Sequence, residues 1–317
     1  MTIRLLKFET CPACGSDTDS NPELFAASLF GTPCPVRKCA GCGLVYKERH
    51  PSEAQLEDMY SAEYSHFQDS PDPGIADINS AKQKFRQCHR LLPNRHQTAE
   101  LRVLDAGCGS GGFVKIARNL GYQAEGVDPF LPGHCQESFL RRARLEEVPE
   151  HRYDILFLLN VAEHVVAPRR LFASARRLLR PGGVMLITCP YGGSAALRVY
   201  RARWVHLALD EHLLFWTPRS LKRVLSELGF GGRPSIRIAG SPFPFGRTGP
   251  RLQAEENSPA STVHSSHSES TVGLQLRLWQ FARFVQTLDG TARAVRAVVH
   301  ALSLGDYLEY AVCVADK

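Results

Sequence analysis

The feature that most constrains the fold is a glycine-rich stretch at residues 102–129, RVLDAGCGSGGFVKIARNLGYQAEGVDP. Its glycines follow one apolar run, and a second apolar run ends at the acidic residue Asp128. Glycine has no Cβ, so the backbone of such a turn can approach a ligand closely, and the helix that follows offers N–H groups at its start. The stretch therefore predicts a strand, a ligand-binding turn, a helix and a second strand.

The same alternation continues along the chain. Apolar strand-like runs occur at 103–106, 123–127, 154–159 and 184–188, and helical patterns lie between or after them at 113–120, 169–179 and 220–228. Strands that alternate with helices at this spacing predict a parallel sheet covered on both faces. Pro181, Gly182 and Gly183 are expected to stop the preceding helix and turn the chain into the next strand.

Length and composition set outer bounds on the function. With 317 residues the chain can form one large domain with an appendage, and its formal charge of +6 permits an anionic partner without requiring one. No window reaches the ~18 apolar residues of a membrane span, and the first residues lack the apolar stretch of a signal peptide. We therefore expect a cytoplasmic protein whose 10 cysteines stay reduced.

The acidic residues around the turn indicate which ligand it holds. Asp128 lies 21 positions after Gly107, where a carboxylate can bind both hydroxyls of a ribose. A dinucleotide fold would also show the spacing of Gly107, Gly109 and Gly112. Asp105, however, would repel a pyrophosphate, whereas it could orient an ammonium or sulfonium cation. The alternative for Asp105 is a solvated residue at a strand end.

Four cysteines form two C-x-x-C knuckles separated by 24 residues, Cys11/Cys14 and Cys39/Cys42. Four thiolates can surround one tetrahedral zinc ion, and no ligand position is then left for water. The knuckles therefore predict a structural zinc site in a small N-terminal zinc ribbon, although one C-x-x-C alone would also fit a redox motif.

Several segments in the expected order resemble class I S-adenosylmethionine-dependent methyltransferases, in the branch that includes ubiquinone-type O-methyltransferases. These segments are LDAGCGSGG, VDP, YDILFLLNVAEHV, RRLLRPGGVMLITCP and EHLLFWTPRSLKRVLSELGF, and the similarity covers residues 60–230. The resemblance implies an α/β fold with a Rossmann-like, seven-stranded, mostly parallel sheet and helices on both faces. The last two strands, at 235–239 and 307–314, would form an antiparallel hairpin.

The resemblance also implies S-adenosylmethionine as the cofactor. It assigns the methionine moiety to Asp105, Gly107 and Gly109, the ribose to Asp128, the region of the adenine to Glu146, and the pocket lining to Asn160, with Cys108 and Pro129 beside them. We expect the Cys108 thiol to pack rather than react.

In the similar branch, a knuckle pair followed by GLVY, a proline and two tyrosines commonly precedes the core, and here the tyrosines are Tyr60 and Tyr64. They are expected to cover the cofactor or substrate as a lid, or else to pack in the core.

His164 is the candidate general base, with Glu163 positioning the ligand or the imidazole, because methylation of a hydroxyl or an acidic carbon requires loss of a proton. Sugar C-methyltransferases with a zinc-binding N-terminal region carry a similar Glu-His step, but they also have a tyrosine near it, where this chain has Val161. The alternative is that His164 only caps a helix.

His206 and His212 form a second cluster, which is expected on the acceptor side of the cleft. Nearby aromatic residues would either present a flat apolar surface to the acceptor or pack in the core. These aromatic residues are Trp204, Phe215 and Trp216.

The acceptor is expected to be a small molecule or glycan, methylated at oxygen rather than carbon. An RNA acceptor is the first alternative, because five arginines lie along residues 169–180, but apolar residues opposite them indicate an ordinary solvated helix face. A non-catalytic interaction protein is the second alternative. The sequence gives no indication of the oligomeric state.

Six segments describe the expected organisation. They are a zinc module at 1–48, a helical lid or connector at 49–98, a methyltransferase core at 99–240, a flexible loop at 241–273, inserted helices at 274–303 and a closing strand at 304–317.

Overall fold

A computed structural model describes residues 4–60, 75–93, 97–149, 153–208, 210–239 and 305–315. The strands are β1 (Leu6–Lys7), β2 (Glu23–Leu29), β3 (Thr32–Lys38), β4 (Val45–Lys47), β5 (Arg49–His50), β6 (Arg102–Ala106), β7 (Gln123–Asp128), β8 (Leu140–Arg142), β9 (Tyr153–Leu159), β10 (Leu179–Pro190), β11 (Leu214–Phe215), β12 (Phe230–Ala239) and β13 (Tyr307–Val314). The α-helices are α1 (Glu53–Met59), α2 (Ile75–His89), α3 (Gly112–Asn119), α4 (Pro168–Leu178), α5 (Ala195–Tyr200), α6 (Val205–Ala208) and α7 (Pro218–Glu227). The expected loop at 241–273, the inserted helices at 274–303 and Tyr64 lie outside the described residues.

The main sheet has seven strands in the order β12-β13-β10-β9-β6-β7-β8. The five strands from β10 to β8 run parallel to their neighbours, and β13 is antiparallel to both β10 and β12. The predicted seven-stranded, mostly parallel sheet and its closing hairpin are confirmed.

Continuous apolar runs form the centre of this sheet because helices cover both of its faces. In β9, with the sequence YDILFLL, six of the seven residues are buried. On one face α4 and α7 pack through Phe172 and Leu221, and on the other α2 and α3 pack through Phe85 and Val114. The core therefore consists of two apolar layers with the sheet between them.

The segment Pro181-Gly182-Gly183 does not form the expected turn between a helix and a strand. Helix α4 already ends at Leu178, and β10 begins at the next residue with a register shift before Val184. A Cβ on Gly183 would lie 2.9 Å from the Arg180 carbonyl oxygen, so the chain is tightly bent here. The Pro-Gly-Gly sequence thus interrupts strand β10 instead of preceding it.

The N-terminal module is joined to the core by a shared sheet. Strands β2, β3 and β4 pair antiparallel, and β11 completes the sheet in the order β11-β4-β3-β2, with Leu214 opposite Tyr46. Strands β1 and β5 form a separate pair. The module therefore reaches His50, beyond the expected boundary at residue 48, and it takes its fourth strand from the core.

Helix α2 belongs to the core rather than to a lid. Phe85 stacks on Tyr122 with ring centroids 3.8 Å apart and lies 5.8 Å from Phe113 on α3. Of the described residues in the segment expected as a lid or connector, those of α1 and Tyr60 line the cleft. Among the described residues, no helix is both long and apolar enough to cross a bilayer.

Candidate active site

A cleft of about 900 Å³ opens at the carboxyl ends of the central parallel strands. In open α/β sheets, ligands bind at this edge. The residues predicted to form the site that line the cleft are Tyr60, Asp105, Gly107, Cys108, Gly109, Asp128, Pro129, Glu146, Asn160, His164, His206 and His212. One cleft therefore contains both the predicted cofactor residues and the candidate catalytic histidines.

The glycine turn after β6 has a backbone that only glycine adopts readily. Gly107 has φ of +80° and Gly109 has φ of +55°, both in the left-handed region. The N–H of Gly107 donates to the Val127 carbonyl at 2.8 Å, which fixes the turn against β7. A Cβ on Gly107 would lie 2.5 Å from Cγ2 of Val161, so the turn also packs directly against the segment that leads to His164.

Asp128 and Asp105 face the cleft with different partners. The Asp128 carboxylate accepts from the Gly109 N–H at 3.0 Å and from the Phe130 N–H at 2.8 Å, which fixes its orientation beside the turn. Asp105 is buried, and its Oδ1 has no hydrogen-bond partner among the described residues. Burial, and then the charge of Asp128, raises the pKa of Asp105 to about 7. An unpaired buried carboxyl oxygen is costly, and an ammonium or sulfonium group would satisfy it.

Three further predicted cofactor residues, Cys108, Asn160 and Glu146, line this half of the cleft. The Cys108 thiol is buried, and burial raises its pKa, which makes it an unreactive packing group. Asn160 has φ of +57°, and its side-chain oxygen accepts from the Thr188 hydroxyl at 3.2 Å. Oε1 of Glu146 lies 3.5 Å from Nε of Arg170, so this carboxylate is ion-paired at the rim.

Helix α1 forms one wall of the cleft. Ser52 caps it through a reciprocal capping box, and Leu56 is its buried residue. Two ion pairs attach it to the core, Arg144–Glu57 at 2.6 Å and Arg170–Glu53 at 2.9 Å. All four of these side chains are substantially exposed, so the pairs contribute little to stability and mainly orient the helix.

Tyr60, directly after α1, contacts the candidate base. Its hydroxyl lies 2.7 Å from Nδ1 of His164, and its ring packs 5.6 Å from that of Phe130. The Glu211 carbonyl oxygen lies 3.2 Å from the same Nδ1. A carbonyl oxygen only accepts hydrogen bonds, so this contact places the proton on Nδ1 and the lone pair on Nε2.

Glu163 and His212 complete a polar group beside His164. Glu163 is fully buried, and burial raises its pKa to about 8, so it is protonated near neutral pH. Neither of its carboxyl oxygens has a hydrogen-bond partner in the described part of the chain. His212 Nδ1 lies 2.8 Å from the His206 carbonyl, while burial, and then the charge of His164, lowers the pKa of His212 to about 2. His212 is therefore neutral and a poor base. Ligand atoms of Glu163, His164 and His212 all lie within 4.8 Å of one another, an arrangement that could also hold a metal ion.

The sequence did not indicate the residues beside His206. Nε2 of His206 lies 3.5 Å from an Asp306 carboxyl oxygen, and its ring meets that of Tyr307 edge-on at 4.9 Å. Both partners stand at the start of the closing strand, about 100 residues away in sequence. A short-range pattern could not have connected them.

The three aromatic residues expected on the acceptor side form core instead. Trp204, Phe215 and Trp216 are almost fully buried, and none lines the cleft. The indole N–H of Trp216 donates to the Ala162 carbonyl at 2.9 Å. Core packing, the alternative left open by the sequence, is therefore the correct interpretation for these three residues.

The four knuckle cysteines converge beside the start of α7, where Thr217 and Arg219 donate to the carbonyls of Gly43 and Gly41. Sγ of Cys11 is 3.7 Å from Sγ of Cys42, and Sγ of Cys14 is 3.6 Å from Sγ of Cys39. A tetrahedral ion with Zn–S bonds of ~2.3 Å holds its sulfur atoms ~3.8 Å apart, so these spacings fit zinc. Cys34 is buried elsewhere, with its thiol against the Pro35 carbonyl.

Most arginines of the basic segment at 169–180, which comprises α4 and the first residues of β10, have partners within the protein. Arg169 pairs with Glu227, Arg170 with Glu53 and Glu146, and Arg180 with Asp154. A guanidinium nitrogen of Arg177 donates to the carbonyls of residues 145 and 146. Four of the five arginines therefore have intramolecular partners, which removes the main sequence argument for RNA.

Comparison with known proteins agrees with this geometry. A family model described as "Methyltransferase domain" matches residues 78–232. The chain is 32% identical over 175 residues to a ubiquinone biosynthesis O-methyltransferase of Bradyrhizobium diazoefficiens, covering 50% of this chain and 69% of that protein. It is 30% identical over 145 residues to a protein of the same name from Rhodopseudomonas palustris, covering 40% of this chain and 57% of the relative.

Solved structures show a similar but more distant likeness. A SAM-dependent methyltransferase from Archaeoglobus fulgidus aligns at 17% identity with a TM-score of 0.44, covering 83% of this chain and 100% of that one. The 1,6-didemethyltoxoflavin-N1-methyltransferase of Burkholderia thailandensis aligns at 13% identity with a TM-score of 0.47, covering 92% and 99%.

The fold and the cleft together define an enzyme that binds an adenosine-containing cation at the edge of a parallel sheet. The chain belongs to the class I S-adenosylmethionine-dependent methyltransferases. Its glycine turn, the buried Asp105 carboxyl and the Asp128 carboxylate beside the turn fit that cofactor, which supplies an electrophilic methyl group.

Proposed function

We propose that this enzyme methylates a hydroxyl oxygen of a small molecule, with His164 as the general base. The observation that carries the proposal is the position of His164 in the same cleft as Asp105 and Asp128, with Nδ1 held by Tyr60 and the Glu211 carbonyl. Nε2 then bears the lone pair that a hydroxyl proton requires. The names of the relatives from Bradyrhizobium and Rhodopseudomonas support oxygen as the acceptor atom.

The cofactor half of the cleft would bind through backbone and carboxylate groups. Asp105 would face the cationic part of the methionine moiety, the N–H groups of the turn would lie along the ligand, and Asp128 would accept from the ribose hydroxyls. Alignment of donor and acceptor is the main contribution of a protein to in-line displacement. A rigid turn fixed to Val127 and packed on Val161 suits that task.

His164 would accept the hydroxyl proton as the oxygen becomes nucleophilic. A neutral histidine is the side chain best matched to proton transfer near pH 7. Tyr60 and the Glu211 carbonyl stabilise the resulting imidazolium, because both offer an oxygen to Nδ1–H. Glu163 does not line the cleft, and its Oε1 lies 3.9 Å from Nε2 of His164, so it would position the imidazole rather than touch the acceptor.

The charge of the acceptor half favours an uncharged phenol or similar hydroxyl compound over a phosphorylated one. Its described lining includes Val161, His164, Val205, His206 and Tyr307, with no lysine or arginine. The two arginines of the cleft lie at the cofactor rim in ion pairs with Glu53 and Glu57. A sugar linked to a nucleotide would require cations for its phosphates. Methylation at a sugar carbon stays the second candidate, because the same base could act on an acidic carbon.

The four knuckle cysteines are proposed to hold one structural zinc ion. Their sulfur spacings match a tetrahedral ion, and two equivalent knuckles present them: the Gly15 N–H donates to the Cys11 carbonyl, and the Gly43 N–H donates to the Cys39 carbonyl. Inductively coupled plasma mass spectrometry of the purified protein should find one zinc per chain. A zinc-free, folded protein would contradict this assignment.

Methyl transfer to a panel of simple phenols and hexoses, followed by mass spectrometry of the product, tests the proposed reaction. His164→Gln should lower kcat by about 100-fold or more, as expected for a lost general base, and should leave the Kd of S-adenosylmethionine unchanged. The matched control is His134→Gln, because His134 is exposed and does not line the cleft. A His164→Gln enzyme with normal kcat would refute the base assignment, and a methyl group on carbon would favour the second candidate. Dependence on added Mg²⁺ would indicate that Glu163, His164 and His212 act as metal ligands.

A further inference from the structure

The loop at residues 210–213, here called the acceptor loop, connects the N-terminal module with the catalytic histidines. It contributes the Glu211 carbonyl beside His164 and carries His212. At its start, Asp210 Oδ1 accepts from the N–H of Phe30, in the turn between β2 and β3, at 2.9 Å. At its end, the Leu213 carbonyl accepts from the Lys47 N–H on β4 at 2.9 Å. Both ends of the acceptor loop are therefore attached to the module.

The other side of the same loop is attached to the catalytic segment. The N–H groups of Leu213 and Leu214 both donate to the Glu163 carbonyl, at 2.9 and 3.1 Å. Immediately afterwards, β11 pairs with β4, with Phe215 opposite Val45. The loop is thus held between β4 of the module and the Glu163–His164 step.

Lys47 is the residue of the module whose chemistry points to a role in this connection. It is fully buried on a strand, although a buried ammonium is costly unless acidic groups compensate it. Burial lowers the pKa of Lys47 to about 8, and the charges that oppose this shift include those of Asp210 and Glu211. Lys47 is therefore a buried lysine whose backbone N–H bonds the end of this loop and whose charge is attracted by two acidic residues of the same loop.

We propose that Lys47 is a positioning residue for the acceptor half of the active site, holding the loop at 210–213 so that His212 and the Glu211 carbonyl stay against His164. This proposal rests on the proposed function for the meaning of the acceptor half. No described residue of the module, 4–50, lines the cleft, so Lys47 acts through the loop and does not touch substrate. Asp105, Gly107 and Asp128 stand on or beside the turns after β6 and β7, away from the loop at 210–213 in sequence, so the cofactor Kd is expected to be independent of Lys47.

The test is Lys47→Met, which keeps the length of the side chain and removes its charge. Lys38→Met is the matched control, because Lys38 is an exposed lysine on the neighbouring strand β3. Three readouts are compared: the Kd of S-adenosylmethionine by calorimetry, amide hydrogen exchange across residues 205–216, and kcat and KM for catechol as the acceptor probe. Lys47→Met should speed exchange in that segment and lower kcat/KM for catechol by about 10- to 100-fold, with the cofactor Kd unchanged.

The acidic partner provides a second, independent variant. Asp210→Asn keeps the oxygen that accepts from Phe30 and removes the charge, so a milder loss of the same kind is expected. The double variant Lys47→Met/Asp210→Asn should recover part of the lost kcat/KM, because it also removes the Asp210 charge that Lys47 no longer balances. If Lys47→Met does not fold, the single Asp210→Asn variant still tests the electrostatic contact.

The outcomes separate this proposal from the proposed function. Unchanged exchange at 205–216 in folded Lys47→Met would overturn it, and so would a weakened cofactor Kd, which would indicate a general structural effect. If the wild-type protein methylates no phenol, the proposed acceptor is wrong, while the exchange and calorimetry results still decide whether Lys47 positions the loop.

Discussion

Binding of S-adenosylmethionine should depend on pH through Asp105. Burial, with a smaller contribution from Asp128, raises the pKa of Asp105 to about 7, and Oδ1 has no hydrogen-bond partner among the described residues. The carboxyl must lose its proton to face a cation, so affinity should rise as the pH rises toward neutrality. At pH 6, one unit below that pKa, only about one site in ten is ionised, and the apparent Kd should be about tenfold weaker than on the plateau.

Calorimetry between about pH 6 and pH 7.5 measures this effect. The upper limit avoids the titration of the amino group of the cofactor, since an α-amino group has a pKa of about 7.7–8.0. Titrations in two buffers of different ionisation enthalpy should show the release of nearly one proton per bound cofactor at the acidic end. Asp105→Asn, which cannot ionise, should bind more weakly at neutral pH and lose the pH dependence.

A flat Kd across this range in the wild-type enzyme, with no proton release, would refute the reasoning. It would mean that Asp105 is already ionised before binding, or that it does not face the cation. An unchanged pH dependence in Asp105→Asn would assign the proton to another group, with Asp128 the first to examine.

Two further predictions concern the turn and the metal. Gly107→Ala should weaken cofactor binding, measured by calorimetry, more than Gly121→Ala does. Both glycines have a positive φ, but a Cβ at 107 would lie 2.5 Å from Val161, whereas a Cβ at 121 would have its nearest atom 3.9 Å away. Adding Val161→Ala to Gly107→Ala should restore part of the affinity, and equal effects of the two glycine substitutions would contradict the steric argument. Cys42→Ser should lower the zinc content and the thermal unfolding midpoint, because structural zinc contributes folding free energy. If the variant keeps the zinc content and the unfolding midpoint of the wild type, the four thiols do not bind one ion together.

The grouping of the predicted cofactor residues in one cleft could be foreseen from the sequence because its signals are local. The turn, the carboxylate before it and the carboxylate after the next strand all lie within residues 102–129, and the structure places Asp105, Gly107 and Asp128 in one cleft. The alternation of strands and helices likewise predicted the order of the elements, since each signal spans only a few residues.

The acceptor half depends on contacts that no local pattern encodes. Tyr60 reaches His164 across 104 residues, and His206 meets Asp306 only when the closing strand is in place. Trp204 and Trp216 look the same in sequence whether they line a pocket or fill a core, because burial, and not residue type, separates the two cases. The burial of Lys47 could not be predicted from the sequence, since a single lysine in a strand resembles an ordinary surface residue.

The sheet shared by the module and the core also affects the order in which the protein can fold. During synthesis, β2 to β4 leave the ribosome early, but β11, their last partner, follows roughly 170 residues later. Until then the nascent chain carries an unpaired edge at Val45–Lys47, with a lysine that has no acidic loop to meet. Such an edge pairs readily with other chains. A fragment that ends near residue 50 should therefore bind metal yet associate with itself, because the module completes its fold only on the finished core.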